Sequence, residues 1–387
     1  MTRLPDTIGK AAHFGPKFEG KPASAGAAEA GGAGRLESYA NSSSLAKSKR
    51  ARRHHRRAQL WKLSLLPRLR KCGKVRLTPH VEVRYSDGIG AGLAGLTTCG
   101  SVWACPVDSA KILAHRQDEV RAAVARHLED GKPGRQIAML TLTMRHRAGQ
   151  PLATLWGALS TAWASVTSGR LWQVEKAAHG VVGWLRVVEL THGRNGWHVH
   201  VHALLFLDSE TPATRATLTT WRKSIVGRWS RALERKDLSP ALDRAQDFHL
   251  VEGDVEPLAG YFTKQTDDTV AESIALEFTH TASKTARAAS GGRSPWSILD
   301  GGLAGDVDEL RLWHEFEKAS RGRRQLTWSR GLRDLLGLDD EQSDEEVAEA
   351  EAGDRQEALC QQVIQLFAFP ATGYKTGNSP TVGRMTV

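Results

Sequence analysis

The sequence predicts an α+β fold in which helices pack on an antiparallel sheet, and three observations support it. Apolar runs or period-two alternation predict strands at 137–144, 183–192, 197–207 and 247–252. Apolar residues at helical spacing predict helices at 109–129, 152–168, 211–236 and 310–319. The Asn195-Gly196 pair between the second and third strands is typical of a hairpin. The resulting order, strand–helix–strand–strand–helix–strand, is that of a split βαβ arrangement.

Residues 1–58 are predicted to form a disordered basic leader. Residues 1–45 are rich in Gly, Ala, Ser and Pro and show no periodicity. A basic block follows, and its arginines are expected to bind DNA phosphates without sequence preference: Arg50, Arg52, Arg53, Arg56 and Arg57. The formal net charge of +10 agrees with a polyanionic partner, although a merely basic protein would have the same composition.

Residues 59–130 form a cysteine-containing region with a candidate structural zinc site. Cys72, Cys99 and Cys105, with Asp108 as a fourth ligand, have the residue types that bind zinc. The alternative is a buried cluster of thiols without a metal. The whole chain has four cysteines in 387 residues, which argues against a disulfide scaffold and fits a reducing compartment.

The stretch 197–207 places three histidines on one face of a strand, since successive side chains point to opposite faces. These are His198, His200 and His202. A hairpin loop at 193–196 would bring Glu189 opposite His200. Imidazole and carboxylate groups that converge on one patch of sheet predict a divalent metal site. The alternative is an exposed polar sheet face without a ligand.

A set of motifs in a fixed order resembles the HUH endonucleases. They are Cys-Gly-Ser-Val-Trp-Ala-Cys-Pro-Val at 99–107, Leu-Thr-Leu-Thr at 140–143, His-Val-His at 200–202 and Gly-Tyr-Phe-Thr-Lys-Gln at 260–265. The sequence is most similar to the single-tyrosine replication initiators of rolling-circle plasmids, especially those of actinomycetes. The resemblance implies an RRM-like HUH nuclease core at 131–290. His200 and His202, with Glu189 or His198 as third ligand, would hold Mn²⁺ or Mg²⁺ there.

The resemblance also implies a reaction and partners. Tyr261 would attack a phosphodiester in single-stranded DNA at the plasmid's double-strand origin, leaving a 5′-phosphotyrosyl protein and a free 3′-OH. Lys264 would favour the phenolate, and Glu256 would activate water or a second nucleophile in termination. A host helicase and DNA polymerase would continue synthesis. A relaxase or transposase with the same chemistry, a non-catalytic DNA-binding control protein and a metal hydrolase unrelated to DNA are the alternatives.

The C-terminal part is predicted to add DNA contacts outside this core. Residues 291–338 form a basic extension in which Arg323, Arg324 and Trp328 would contact the DNA backbone or stack on bases. The alternative is a helix packed on the sheet. Residues 339–387 form an acidic segment and a tail. The sequence has no apolar run of membrane-spanning length and no visible secretory signal, so a cytoplasmic protein is expected.

Overall fold

The computed structural model describes residues 32–86, 90–251, 292–350 and 364–366. The chain divides into two compact units, residues 1–49 and 50–387. The helices are α1 (Gly32–Leu63), α2 (Pro106–Leu128), α3 (Leu152–Val166), α4 (Gly169–Ala178), α5 (Arg215–Glu234), α6 (Pro295–Leu303), α7 (Val307–Ser320), α8 (Leu332–Leu335) and α9 (Asp344–Glu349). The strands are β1 (Val81–Ser86), β2 (Gly90–Ala94), β3 (Arg135–Thr143), β4 (Val181–Gly193), β5 (Gly196–Asp208), β6 (Asp247–Leu250), β7 (Leu326–Trp328) and β8 (Ile364–Leu366). Short 3₁₀ turns occupy Leu69–Lys71 and Asp243–Ala245. None of the helices described is long and apolar enough to cross a membrane.

The predicted α+β fold with an antiparallel sheet is confirmed. The main sheet has five strands in the order β6-β3-β5-β4-β7, and every neighbouring pair is antiparallel. Along the chain, β3, α3, β4, β5, α5 and β6 follow the predicted split βαβ order. Strand β7 has three residues, too few for alternation to mark it in the sequence. A second, three-stranded sheet has the order β2-β1-β8.

The two faces of the main sheet have different roles, because side chains alternate along each strand. On one face, Leu140 and Val201 are buried in a large apolar cluster that includes residues of α3, α5, α6 and α7. On the other face, Leu204 and Phe206 pack against Val124 of α2 in a smaller cluster. The residues two and four positions before Leu204 on β5 point to this second face. The second face therefore carries the histidines at the hairpin end of the strand.

The predicted disorder of residues 1–58 is wrong for the part that the structure describes, because α1 is helical from Gly32 to Leu63. Two residues near the end of this helix anchor that end on the rest of the protein. Leu60 is fully buried, and Arg56 is a buried residue whose Nε donates to Asp300 Oδ1 at 2.7 Å. Composition reveals the charge of the basic block but not its distant apolar and acidic partners.

The predicted boundaries near residues 290 and 338 do not separate structural units. Strand β7 belongs to the main sheet, where Trp328 pairs with Leu185 of β4. The acidic segment also packs on the body, since Val347 of α9 is fully buried and Arg116 of α2 binds Asp344 at 3.0 Å. Asp344 of the acidic segment is thus the partner of a basic residue on α2.

Candidate metal centre

The β4–β5 hairpin sets the geometry of the site, and its predicted register is confirmed. Glu189 lies opposite His200, and His192 lies opposite Trp197. The connection is tight, because Gly193 already pairs with Gly196, which has a φ of +82° that glycine adopts without strain. The alternation of the strand then fixes which side chains share a face with Glu189.

Glu189 joins the two core histidines through a single carboxylate oxygen. Its Oε2 lies 2.9 Å from Nε2 of His200 and 3.0 Å from Nε2 of His202. Both imidazoles are buried, whereas the Glu189 side chain is 39% exposed. On the other side of His202, Nδ1 lies 2.9 Å from Thr141 Oγ1 on β3. Three donor atoms from two strands therefore converge, and a third strand orients one of them.

This donor set fits a divalent cation. One nitrogen from each histidine and one carboxylate oxygen lie within 4.8 Å of one another, and imidazole with carboxylate is a set that binds Mn²⁺ and other transition metals. Burial acts to raise the pKa of Glu189, but His200 and His202 outweigh it and hold that pKa well below its ordinary value. The carboxylate is thus ionised and available as a ligand. Within the described residues, Nδ1 of buried His200 has no hydrogen-bond partner.

His198 is not part of this cluster, although it shares the strand face. Its Nδ1 lies 2.9 Å from Nε2 of His146, and its ring centroid is 4.8 Å from that of His200. Of the two predicted choices for a third ligand, the structure brings Glu189 and not His198 to the core pair. The reason is that His146, in the loop after β3, binds His198. Sequence reasoning missed both His146 and Thr141. A pairing of β3 with β5 would have revealed Thr141, whereas no pattern marks a single histidine in a loop.

The predicted zinc ligands also come together. Cys105 caps the N-terminus of α2, with Asp108 in the first helical turn, and Cys72 lies after the 3₁₀ turn that follows α1. Cys72 Sγ lies 3.7 Å from Cys105 Sγ and 3.3 Å from Asp108 Oδ2, and Cys99 Sγ lies 3.2 Å from the same oxygen. All four residues are buried. Hydrogen bonds from Cys105 and Cys99 lower the pKa of the Cys72 thiol, whereas burial raises the pKa values of Cys105 and Asp108.

Three of the predicted DNA-binding residues have packing partners within the protein. Arg56 is buried in its ion pair with Asp300, and Arg323 lies against Trp156, with its guanidinium carbon 5.0 Å from the ring centroid. Trp328 is buried in β7 and so cannot serve as a stacking platform. Burial argues against DNA contacts by Arg56 and Trp328, whereas the DNA contact of half-buried Arg323 stays a prediction.

The other predicted DNA contacts have varied surroundings. Arg324 is exposed and pairs with Glu341 at 3.2 Å. Arg52 is exposed, whereas Arg50, Arg53 and Arg57 are half-buried on α1. Tyr261, Lys264 and Glu256, the predicted catalytic residues, lie outside the described residues.

Comparisons with known proteins agree with the resemblance that the motifs indicate. Residues 92–374 match the Rep_1 family, whose description is "Replication protein". "Protein rep" of Streptomyces lividans is 31% identical over 63% of this chain and 65% of the relative, slightly less than two thirds of its length. "Neomycin resistance protein" of Streptomyces cyanogenus is 30% identical over 33% of this chain and 34% of the relative. No solved structure matches the chain. The matched region contains Glu189, His200 and His202 and spans most of the chain, so the chain belongs to the Rep_1 family of replication proteins.

Proposed function

We propose that this protein initiates plasmid rolling-circle replication as an HUH endonuclease that nicks one DNA strand at the origin and later rejoins it. The observation that carries the proposal is the convergence of Glu189 Oε2 with Nε2 of His200 and of His202, at 2.9 and 3.0 Å. Membership of a replication protein family supplies the biological context. The tyrosine in the Gly-Tyr-Phe-Thr-Lys-Gln motif supplies the candidate nucleophile.

The side chains at the centre have distinct parts in this proposal. Glu189, His200 and His202 would hold Mn²⁺ or Mg²⁺, with Mn²⁺ better suited to imidazole ligands. A bound cation would neutralise charge on the scissile phosphate and polarise its phosphorus. To bind through Nε2, His202 must carry its proton on Nδ1, and Thr141 Oγ1 lies 2.9 Å from Nδ1 to accept it.

The strand cleavage is a transesterification. The phenolic oxygen of Tyr261 forms a bond to phosphorus while the bond from phosphorus to the 3′ oxygen breaks. The phenolic proton is transferred and finally resides on the released 3′-OH. Phenols have a pKa near 10, so Lys264 would assist by favouring the phenolate. No high-energy cofactor is consumed, because the phosphotyrosyl bond keeps the energy needed for rejoining.

Two further roles follow from this reaction. The free 3′-OH is a primer, so a host DNA polymerase and a helicase are the expected partners. Glu256, shortly before Tyr261, would activate water or a second nucleophile when replication ends.

A relaxase or transposase would use the same site for the same cleavage. The DNA products would distinguish them, because only a replication initiator supports DNA synthesis from the nicked origin.

We also propose that Cys72, Cys99, Cys105 and Asp108 hold a structural zinc ion. Tetrahedral zinc with Zn–S bonds of about 2.3 Å separates two sulfurs by about 3.8 Å, and Cys72 Sγ lies 3.7 Å from Cys105 Sγ. Three thiols and a carboxylate in a buried position are also difficult to ionise together without a cation. The ion would join the chain after α1 to the start of α2.

The direct test of the proposed function is nicking of a supercoiled plasmid that carries the protein's own replicon. With Mn²⁺ we expect conversion to open circles, no conversion in excess chelator, and recovery when Mn²⁺ is restored. A plasmid without the replicon serves as control for non-specific cleavage. Origin-specific binding without nicking under any metal condition would contradict the enzyme and favour a non-catalytic DNA-binding control protein.

A further inference from the structure

The loop after β3 and the tip of the β4–β5 hairpin are joined into one surface beside the metal centre. His146 Nδ1 lies 2.8 Å from the carbonyl oxygen of Asn195, which can only accept, so this nitrogen carries a hydrogen. The other ring nitrogen of His146 binds His198 at 2.9 Å. Gly196 also lies against the loop, because a Cβ at that position would be 3.2 Å from the carbonyl oxygen of Arg147. We call residues 145–147 and 194–196 the hairpin-end surface.

This surface lies at the metal-centre end of the sheet. Thr143, the last residue of β3, is paired with His200, and the loop that contains residues 145–147 begins directly after it. At the tip, residue 196 is four positions before His200 on β5. A rise of about 3.3 Å per strand residue places the tip within roughly 15 Å of the metal ligands. A polymer bound on the surface could therefore extend to the centre.

Three exposed arginines lie on the hairpin-end surface: Arg145, Arg147 and Arg194. Throughout the part of the chain that the structure describes, none of their guanidinium groups pairs with a carboxylate. Other arginines, such as Arg121 and Arg311, bind an aspartate on their own helix. The surface therefore combines cationic side chains that have no acidic partner in the described structure.

Among the described residues, two carboxylates near His192 at this end of the sheet are already engaged. Glu309 binds Arg293 at 2.8 Å. Glu315 accepts from the backbone N–H of Leu152 at 2.7 Å and from Trp197 Nε1 at 3.1 Å. Because these acids have partners, they do not neutralise the three arginines directly, and the surface suits a polyanion.

We propose that the hairpin-end surface binds the sugar-phosphate backbone of single-stranded DNA and leads that strand to the metal centre. The inference rests on the proposed action on single-stranded DNA and assigns the path of the strand to Arg145, Arg147 and Arg194. Guanidinium groups bind phosphate oxygens in a bidentate fashion, and such contacts position a strand without reading its sequence. The surface is separate from the basic block of α1, whose Arg56 is buried in an ion pair.

The test compares two triple variants of the full chain with the same change in charge. In the first, Arg145, Arg147 and Arg194 are replaced by Gln. In the control, three exposed arginines on other elements are replaced by Gln: Arg170, Arg215 and Arg235. Binding of a labelled single-stranded oligonucleotide is measured by anisotropy from low to moderate salt, and the slope of log K against log salt is compared with that of the unchanged protein.

Each phosphate contact to a single strand contributes about 0.7 to this slope, so the first variant is expected to lose about 2 from it, and the control little. Equal slopes in both variants would overturn the proposal. A decrease in slope that is seen with a duplex oligonucleotide but not with the single strand would overturn it too. Nicking is measured separately at saturating DNA, where the control variant should retain the unchanged protein's rate. A protein that never nicks but shows the slope change would contradict the proposed function and leave the binding surface standing.

Discussion

Replacement of His202 with alanine is expected to reduce origin nicking by at least about 100-fold. His202 Nε2 lies 3.0 Å from Glu189 Oε2, so the variant removes one of three converging donor atoms. Loss of a residue that merely orients a metal ligand typically costs 10- to 100-fold in affinity or activity, and loss of the ligand itself should cost more. The measurement is the initial rate of open-circle formation over a range of Mn²⁺ concentrations.

Two further variants make this expectation specific. Thr141→Val removes the oxygen that lies 2.9 Å from His202 Nδ1, and should raise the Mn²⁺ concentration needed for half-maximal nicking by about 10-fold or more. His249→Ala is the matched control, because His249 lies on β6 of the same sheet and pairs with Asp247 at 2.8 Å, outside the cluster. Nicking by His202→Ala at the unchanged rate, with normal Mn²⁺ dependence, would show that the centre lies elsewhere.

The largest expected effect on stability is at the cysteine cluster. The purified protein should contain about one zinc ion per chain, and Cys105→Ser should lose it. Cys105 is fully buried, and α2, which starts beside it, packs on the second face of the main sheet. We expect a loss on the order of 5 kcal/mol, below the 10–16 kcal/mol of zinc-finger peptides, since both apolar clusters persist. At about 1–2 °C per kcal/mol for a chain of this length, Tm should fall by roughly 5–10 °C.

Variants of Asp108, the one carboxylate among the proposed zinc ligands, serve as controls for this expectation. Asp108→Cys completes a four-thiolate site and should keep the zinc, whereas Asp108→Asn should weaken its binding. Metal content is measured by elemental analysis and stability by thermal unfolding, with and without chelator. A metal-free protein whose three thiols react freely after unfolding, and whose Tm is unaffected by chelator, would favour the buried thiol cluster over a metal site.

The hairpin and its site residues were predictable because their signals are local. Asn195-Gly196 marks the turn, and strict alternation from His198 to His202 marks the strand, so the register that puts Glu189 opposite His200 follows from the turn alone. The residues of the cysteine cluster could be named from the sequence, because few residue types bind zinc. Its assembly from three separate segments was not, since spacing does not determine which loops meet.

The residues whose surroundings differ from those expected share a physical cause. Arg56, Arg323 and Trp328 look like surface residues in a basic, tryptophan-containing sequence, yet each is packed against a residue far along the chain. Local charge patterns describe a side chain's chemistry but not its tertiary partner. The same limit applies to Arg145 and Arg147, which stand in a short loop without periodicity. Only the strand pairing shows that this loop meets the hairpin tip at the end of the sheet where Glu189, His200 and His202 converge.

The measurement that tests the central claim most directly is covalent trapping of origin DNA. The protein is incubated with Mn²⁺ and single strands from its own replicon, denatured in detergent, and the linked residue is identified by mass spectrometry. We expect a 5′-phosphotyrosyl adduct at Tyr261 that is lost in Tyr261→Phe and kept in Tyr85→Phe, a control at another of the four tyrosines. An adduct that persists in Tyr261→Phe, or origin binding without any adduct, would contradict the account.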